Sequence, residues 1–413
     1  MNLKNFFLEI GLMVLLMVFL IPVLSAAGAQ TAPAFDWEQA SWDEITVQAR
    51  GTQVNFAMWS GSQAINEWID NVVAPRLLDL YGLTLNRIPA DAPVFVNRLA
   101  TEKQQNRTRG SFDLLWINGE NFKRAYQAGT IAGPITQKLP NFLNYVDPAT
   151  AEFDFGFPTM GYEAPYGRAQ FVLEYDSAST EPPVSYAQLP QWVREHPGYF
   201  TYPEPSDFTG SAFIRQAFIA VTGGAQQYLQ GWDPDLYQSQ SPKLWDYLND
   251  LKPYLWQQGR SYPRELSFLD GLFERGEVKI NMTYTQGQTQ ARILQGRYPG
   301  TARSFVMEDA SLFNTHFTAM PFNAPNRAGA LVLANYLLSP EAQLSKNDPA
   351  NWGDFTVLDM QRLQPADRRA FEQLDLGPAT LDFATLEAAA VPELPSEYLE
   401  ALQADWYRYV LGQ

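Results

Sequence analysis

The chain has 413 residues, a length that exceeds what one hydrophobic core usually organises, so two domains or lobes are expected. Its content of 46% hydrophobic and 14% aromatic residues argues against disorder. Its formal net charge of −16 disfavours nucleic acid and anionic membrane surfaces as partners. With no cysteine and only His196 and His316, a cysteine nucleophile, a cysteine-ligated zinc site and a three-histidine zinc site are excluded.

The first 29 residues predict a secretory signal peptide. Lys4 precedes an apolar run over residues 10–24, shorter than the roughly 20 residues that a membrane span needs. Small residues follow, with Ala27 and Ala29 at the −3 and −1 positions of a cleavage site. We therefore expect cleavage near Ala29 and export of the remaining chain. The alternative is a retained membrane anchor carrying a binding scaffold that would need no cleft.

Strand and helix patterns alternate after a leader over residues 30–51, which we expect to pack on the first lobe as a short helix. Alternating apolar residues over 54–59 predict a strand. Ser60 and Gln63 then match a capping box, and apolar residues at helical spacing follow. Pro75 is expected to kink or end this helix.

Three strands of one parallel sheet are predicted in this half of the chain. Further strands and helices are expected at 83–88, 94–106, 112–119 and 122–128. The β-α-β-α-β order predicts parallel strands with right-handed crossovers. Ligands in such sheets lie beyond the carboxyl ends of the strands, here at residues 59–62 and 116–121.

From residue 153 the chain becomes rich in glycine, proline and aromatic residues, and residues 169–175 predict a strand that crosses between lobes. A helix near 210–222 can be capped by Ser206 or Asp207. Later segments predict a helix at 244–257 and a strand, turn and helix at 277–296. A return strand followed by a helix is predicted at 314–343, and a C-terminal helix at 397–411.

Three stretches carry a resemblance to a known family: "FDLLWINGENFKRAYQAGTI", "APYGRAQFVLEYD" and "FNAPNRAGALVLANYLLSPEAQ". The chain resembles the solute-binding proteins of bacterial ABC importers, most closely the YnjB group related to polyamine-, thiamine- and iron-binding proteins. The resemblance implies an α/β, two-lobed periplasmic-binding-protein-like fold with a ligand cleft between lobes joined by crossing strands. It also implies a monomer in the periplasm without enzymatic activity, cofactor or metal, whose partners are a small-molecule ligand and ABC permease subunits at the inner membrane.

The lobe boundaries implied by this resemblance are discontinuous in the chain. The first lobe is expected to comprise residues 52–160 and about 312–345. The second is expected to comprise about 165–305 and about 346–413.

Four loops and one outer tyrosine are the candidate ligand-binding residues implied by the resemblance. They are Trp59, Ser60, Gly61 and Ser62; Asn118, Gly119, Glu120 and Asn121; Tyr162, Tyr166 and Gly167; Asp207, Thr209, Gly210 and Ser211; and Tyr284.

Each candidate also has a purely structural alternative. Trp59 can cover the edge of the core, and Tyr166 can be a turn residue. Glu120 and Asp207 can be solvated carboxylates at helix starts, where they favour the helix dipole. His316 is expected in the return strand near the hinge rather than as a metal ligand.

The mixture of aromatic and acidic residues favours an organic cation, thiamine-like or polyamine-like, since cation–π attraction contributes about 0.5–2 kcal/mol. Helix N-termini at the same cleft would equally suit a phosphate or carboxylate. No adjacent tyrosine pair occurs, which disfavours iron. A secreted carbohydrate-active hydrolase, with two carboxylates roughly 5–10 Å apart across a cleft, is the rival from another class.

Overall fold

The computed structural model describes residues 35–412. The predicted signal peptide, residues 1–29, lies outside these described residues. Among residues 35–412, no helix combines the length and the apolar character that a membrane crossing requires.

The described strands form a seven-stranded sheet, a three-stranded sheet and a two-stranded hairpin. Their bounds are β1 Gln53–Met58, β2 Thr84–Pro89, β3 Leu114–Ile117, β4 Ile131–Ala132, β5 Phe153–Asp154, β6 Phe157–Pro158, β7 Glu163–Gln170, β8 Val172–Asp176, β9 Ile280–Thr283, β10 Ala302–Phe305, β11 Ser311–Pro321 and β12 Ala390–Pro392.

The described α-helices cover both sheets. They are α1 Trp42–Ala49, α2 Gln63–Trp68, α3 Ala74–Tyr81, α4 Ala92–Gln104, α5 Gly119–Gln127, α6 Pro140–Tyr145, α7 Leu189–Glu195, α8 Phe208–Thr222, α9 Pro234–Leu251, α10 Leu266–Glu274, α11 Gln288–Leu294, α12 Arg327–Leu337, α13 Pro340–Asn347, α14 Pro365–Glu372, α15 Phe383–Ala389 and α16 Ser396–Trp406. Shorter π and 3-10 segments are Ile69–Val73, Thr136–Lys138, Pro148–Ala151, Ala225–Tyr228, Lys252–Tyr254, Trp256–Gly259 and Tyr407–Leu411.

The large sheet begins as the sequence predicts. Its order is β12-β11-β3-β1-β2, and β1 pairs in parallel with both β2 and β3. Val54 and Phe56 of β1 and Leu114 of β3 are fully buried, because helices cover both faces of this parallel part of a mixed sheet. The predicted parallel arrangement of the first three strands is confirmed.

Two strands connect the sheets. β7 pairs with β11 in the large sheet, and after Phe171 the chain continues as β8, which pairs with β9 and β10 in the small sheet. The Phe171 amide donates to the Leu312 carbonyl at 2.8 Å, so the pairing with β11 extends to the point where β7 gives way to β8. The single crossing strand expected at 169–175 is thus two strands that belong to different sheets.

The helical region after β1 differs from its prediction at its start. Helix α2 begins at Gln63 with Ser62 at the N-cap, and Ser62 makes no side-chain capping bond, so the predicted capping box from Ser60 is wrong. Ser60 lies in the preceding loop instead, where its carbonyl accepts a bond from Asn66 Nδ2 at 2.9 Å. Pro75 does not end the helix, because the π segment Ile69–Val73 directly precedes α3 and places Pro75 in its first turn.

Two of the buried clusters within residues 35–412 lie near the predicted site residues. One surrounds α8 and the small sheet and includes Phe213, Phe218 and Trp406. The other fills the space between the large sheet and α4 and α5, and includes Phe95, Phe112 and Phe122. Helix α1 packs on α12, which in turn lies against β1.

Candidate ligand site

The loop after β1 presents an aromatic ring to solvent. The Trp59 side chain is 44% exposed, and its ring meets Trp116 of β3 edge to face with centroids 6.4 Å apart. A Cβ atom on Gly61 would overlap the Trp59 indole, so glycine permits the ring to fold back over its own loop. Trp59 is therefore a partly exposed ring supported from below by Trp116.

Trp116 connects this loop to a group of packed rings. We call Trp59, Trp116, Tyr166, His316 and Trp352 the aromatic cluster. Trp116 lies 5.4 Å from Tyr166, 4.9 Å from His316 and 6.0 Å from Trp352, as centroid distances. Tyr166 is buried inside β7, so the turn interpretation of this residue is wrong, and His316 lies in β11 as expected.

A buried ion pair between Lys346 and Asp354 lies against the aromatic cluster next to His316 of β11. Lys346 Nζ lies 2.5 Å from Asp354 Oδ2, with both side chains fully buried, and His316 Nε2 lies 3.3 Å from Asp354 Oδ1. A Cβ atom on Gly167 would lie only 2.7 Å from His316 Cδ2 and 2.9 Å from Lys346 Nζ. Glycine at position 167 is thus required by close approach.

The residues at the N-terminus of α5 lie next to the aromatic cluster. The Trp116 indole donates to Asn118 Oδ1 at 3.1 Å, and the Gly119 amide donates to the buried carboxylate of Asp154. Glu120 Oε1 accepts from Asn121 Nδ2 at 2.7 Å. Burial raises the pKa of Glu120, and burial raises that of Asp154 well above its usual range.

Phe155 occupies a strained position at the tip of the β5–β6 hairpin. Its φ of 46° is rare for a bulky aromatic residue. Gly119 lies against the Phe155 ring, because a Cβ atom on Gly119 would lie 3.2 Å from Phe155 Cγ. On its other side the ring faces the Arg215 guanidinium at 5.9 Å. Such strain often accompanies functional sites, and here it places one ring between α5 and α8.

Arg215 of α8 brings together residues from distant parts of the chain. It makes two bonds of 2.9 Å to the Glu393 carboxylate and one of 2.7 Å to Ser211 Oγ. Tyr284 donates its hydroxyl to Glu393 at 2.7 Å. The Phe208 ring lies 5.6 Å from the Arg215 guanidinium. Because Ser211 bonds to Arg215 and Tyr284 bonds to Glu393, the Arg215–Glu393 ion pair contacts two of the predicted ligand residues.

The remaining predicted residues have structural contacts. Asp207 accepts from the Thr209 and Gly210 amides at 2.8 and 3.1 Å, and from the Leu266 amide at 2.9 Å. Tyr162 packs on Tyr126 at 5.0 Å within the core of the large sheet. Asp207 thus caps α8, and Tyr162 lies apart from the aromatic cluster.

Several residues of the assembled site have no local signal in the sequence. Arg215 sits within an apolar helix, Glu393 is 178 residues from Arg215, and Trp352 lies more than a hundred residues from Trp68 and Trp116. The stretch "FDFGF" forms the β5–β6 hairpin with left-handed backbone at Phe155 and Gly156, although such turns favour Asn-Gly or Asp-Gly over Phe-Gly.

Other features do not coincide with this site. A cavity of about 550 Å³ is lined by Trp256, Tyr262 and Phe268 among others, and a second of about 220 Å³ lies at Phe273 and Tyr298. Neither includes a predicted ligand residue. Among residues 35–412, no group of three or more His, Asp or Glu side chains is arranged to hold a metal ion.

Glu163 of β7 gives a pH-dependent prediction. It is fully buried, neither carboxylate oxygen has a hydrogen-bond partner within residues 35–412, and burial raises its pKa well above 4.5. The unfolded chain releases this proton near its ordinary pKa whereas the folded chain retains it, so folding loses stability as pH rises between the two values. We expect Glu163→Gln to raise the free energy of unfolding at pH 8 and to change it much less at pH 4.5, as measured by urea unfolding.

Glu152→Gln is the matched control, because Glu152 is exposed. We expect it to leave the pH profile unchanged. An equal effect of Glu163→Gln at both pH values would contradict a retained proton.

The chain is similar to proteins of known class. The family model for bacterial extracellular solute-binding proteins matches residues 79–353. Protein YnjB of Escherichia coli K12 is 36% identical over 379 residues, which cover 90% of this chain and 94% of YnjB.

Two solved structures share the fold. AfuA from Actinobacillus pleuropneumoniae, with fructose-6-phosphate bound, has a TM-score of 0.60 at 12% identity and covers 87% of this chain and 98% of its own. PotD from Streptococcus pneumoniae, a spermidine/putrescine ABC transporter substrate-binding protein, has a TM-score of 0.56 at 15% identity and covers 87% and 99%. Both likenesses indicate the two-lobed periplasmic-binding-protein fold. The family match and the similarity to YnjB show that this chain belongs to the bacterial extracellular solute-binding protein family.

Proposed function

We propose that this protein binds a small organic cation, such as a polyamine or thiamine, between its lobes in the periplasm and delivers it to a permease. The proposal includes removal of residues 1–29 on export and no chemical step on the solute. The candidate site comprises the exposed ring of Trp59 and the half-buried ring of Trp116, the α5 N-terminus at Asn118–Asn121, and the residues around Arg215.

Two helix N-termini near the candidate site are already occupied by carboxyl groups of the protein itself. This observation is the main support for a positively charged ligand. Asp154 accepts the Gly119 amide at the start of α5, and Asp207 accepts the Thr209 and Gly210 amides at the start of α8. Free amides at such positions would attract a phosphate. Here carboxyl groups of the protein already accept these amides, which leaves the amides unavailable to a phosphate and disfavours a sugar phosphate relative to a cation.

The charges around α5 point the same way. Glu120 and Glu393 lie near Asp154, and both add to the effect of burial in raising the pKa of the Asp154 carboxyl. Arg215 lies near them with its guanidinium already bonded twice to Glu393, and Arg124 of α5 is a second cation near Glu120. Because Glu120 is half-buried and its pKa is raised chiefly by desolvation, an arriving cation would stabilise its ionised form.

The aromatic rings supply the second element of recognition. Trp59 and Phe208 are 44% and 47% exposed, so each offers a free ring face to a cation or a planar ring. Cation–π attraction at a desolvated site contributes about 0.5–2 kcal/mol for each good contact.

The lobe boundaries remain part of this proposal. We place the first lobe at residues 52–160 and about 312–345, and the second at about 165–305 with the C-terminal region. One adjustment is supported by contacts: Trp352 packs against Trp68 of α2 at 5.4 Å, and the Asp359 amide donates to the Tyr145 carbonyl at 2.8 Å. These contacts favour assigning residues 346–359 to the first lobe.

The test is a calorimetric and thermal-shift comparison of spermidine, putrescine and thiamine with fructose 6-phosphate and inorganic phosphate. A cation that binds should stabilise the fold by about 4 kcal/mol at a thousandfold excess over Kd. The phosphates should give no shift. Binding of a phosphate but of no cation would overturn the proposal, and so would turnover of any glycoside by the purified protein.

Trp59→Ala tests the placement of the first loop. For any cation found to bind, we expect the affinity to fall about two- to thirtyfold, which corresponds to the loss of about 0.5–2 kcal/mol of cation–π attraction. Isothermal titration calorimetry gives the measurement. Trp232→Ala is the matched control, since Trp232 is 37% exposed and packs on Tyr398 away from this loop. Equal affinities for Trp59→Ala and the wild type would remove Trp59 from the site.

A further inference from the structure

A buried polar network lies beneath the loop that carries Tyr284. Glu174 of β8 is fully buried and directly opposite Asn281 in the pairing of β8 with β9. Glu174 Oε2 accepts from Asn281 Nδ2 at 2.7 Å and from the Tyr298 hydroxyl at 3.0 Å. Glu174 Oε1 accepts from the Thr289 hydroxyl at 2.9 Å. One carboxylate thus receives three side-chain donors.

These donors lie on both sides of one short loop. Asn281 belongs to β9, three residues before Tyr284, and Thr289 lies in the first turn of α11, five residues after it. The loop between them, residues 284–288, also contacts the segment 346–359, where the Gly287 amide donates to the Gly353 carbonyl at 3.0 Å. Glu174 therefore anchors both ends of the loop that directs Tyr284 towards Glu393 and Arg215.

We propose that Glu174 is a positioning residue whose negative charge holds the loop of residues 284–288 in its binding geometry, so that acidification loosens the loop and weakens ligand binding. The statement about the loop stands by itself, and the statement about affinity rests on the proposed function.

The chemistry of the three donors explains the dependence on charge. An ionised carboxylate accepts from Asn281, Tyr298 and Thr289 together, whereas a protonated one needs one of its oxygens to donate. Asn281 Nδ2 also donates to Asp270 Oδ1 at 2.8 Å, so the two buried carboxylates share one amide group and lie close together. Burial raises the pKa of Glu174 while the three donors lower it, so an arrangement that keeps Glu174 buried but moves a donor away binds the proton more tightly than the native loop does. Uptake of a proton turns one Glu174 oxygen into a donor, so a neighbouring hydroxyl must reverse or lose its acceptor, and acidification therefore favours the loosened loop.

The titration falls in an accessible range. Burial, followed by the nearby Asp270 carboxylate, raises the pKa of Glu174 to about 7, and burial raises the pKa of Asp270 to about 6. The other charged or titratable groups that face this pair from the surrounding elements are Glu274 of α10, Arg292 of α11, Tyr298, and Asp207 at the start of α8. With a pKa near 7, about one-tenth of Glu174 remains ionised at pH 6.

Hydrogen exchange of the ligand-free protein tests the loop directly. Peptides covering residues 284–291 should lose about tenfold in protection between pH 8 and pH 6, after correction for the intrinsic pH dependence of exchange. Glu174→Gln should remove this step, and Glu372→Gln, at an exposed position of α14, should retain it. If Glu174→Gln does not fold, Thr289→Val should lower protection at pH 8 and Thr289→Ser should restore it. Equal protection at both pH values in the wild type would overturn the inference.

Affinity provides the second readout, with spermidine as the probe. If only the ionised form is competent to bind, the apparent Kd for spermidine should be about tenfold weaker at pH 6 than at pH 8 in the wild type, and unchanged with pH in Glu174→Gln. Constant affinity of the wild type across this range would overturn the claim about binding. Failure of spermidine and of every other cation to bind, together with a normal pH step in exchange, would instead overturn the proposed function and retain the loop inference.

Discussion

Arg215→Met is expected to lower the free energy of unfolding by about 3–5 kcal/mol, because it leaves the Glu393 carboxylate buried without its cation. The Arg215 and Glu393 side chains are 0% and 3% exposed, so water cannot replace the lost bonds. Tyr284 would still donate to Glu393, but one neutral donor does not compensate a buried charge. Urea unfolding at pH 7 followed by circular dichroism gives the measurement.

Two further variants separate the ion pair from the loss of side-chain volume. Arg215→Met combined with Glu393→Leu should recover much of the stability, since it removes the stranded charge as well. Arg194→Met is the matched surface control, because Arg194 pairs with Asp250 in an exposed position, and it should cost less than about 1 kcal/mol. A cost for Arg215→Met as small as for Arg194→Met would show that the buried pair contributes little.

Trp352→Ala is expected to destabilise the protein by about 3–5 kcal/mol, the usual range for removal of a large buried aromatic ring. Trp352 is 2% exposed and contacts Trp68 at 5.4 Å and Trp116 at 6.0 Å, while His316 stacks on it at 5.7 Å. The cavity would lie between α2 and the crossing strands, beside the ring that supports Trp59. Urea unfolding measures the loss.

The control for this variant is Trp232→Ala, which removes the same side chain from a partly exposed position. Its cost should be clearly smaller, since water already reaches that ring. Trp352→Phe should restore part of the stability by refilling the cavity. Equal costs for Trp352→Ala and Trp232→Ala would contradict a supporting role for Trp352.

The first part of the fold follows from local patterns in the sequence. The apolar runs of β1 and β3 and the helices after them are visible because fully buried parallel strands need continuous apolar residues. The same topology predicts ligand loops after these strands. Trp59 and Asn118, which follow the two strands, both contact Trp116, while ligand binding by these loops stays a prediction.

The remaining parts depend on contacts between distant residues. The Gly119 amide donates to Asp154, which lies in a hairpin 35 residues further along the chain. The sequence near Gly119 therefore gives no sign of this partner. The local sequence around Asp207 does not distinguish a helix cap from a ligand-binding residue, because both roles favour a carboxylate at a helix start. Tyr166 in "PYG" has the local composition of a turn, but pairing of β7 with β11 keeps it extended and buried.

The pairing of β11 has a consequence for how the chain acquires its structure. Residues 311–321 lie between β3 and β12 and also pair with β7, so the large sheet joins segments nearly 200 residues apart. A nascent chain that ends before residue 311 would leave the edge of β3 open to other chains, which favours aggregation. We therefore expect neither half to be produced as an independent stable fragment, and we expect slow, late folding governed by these long-range pairings.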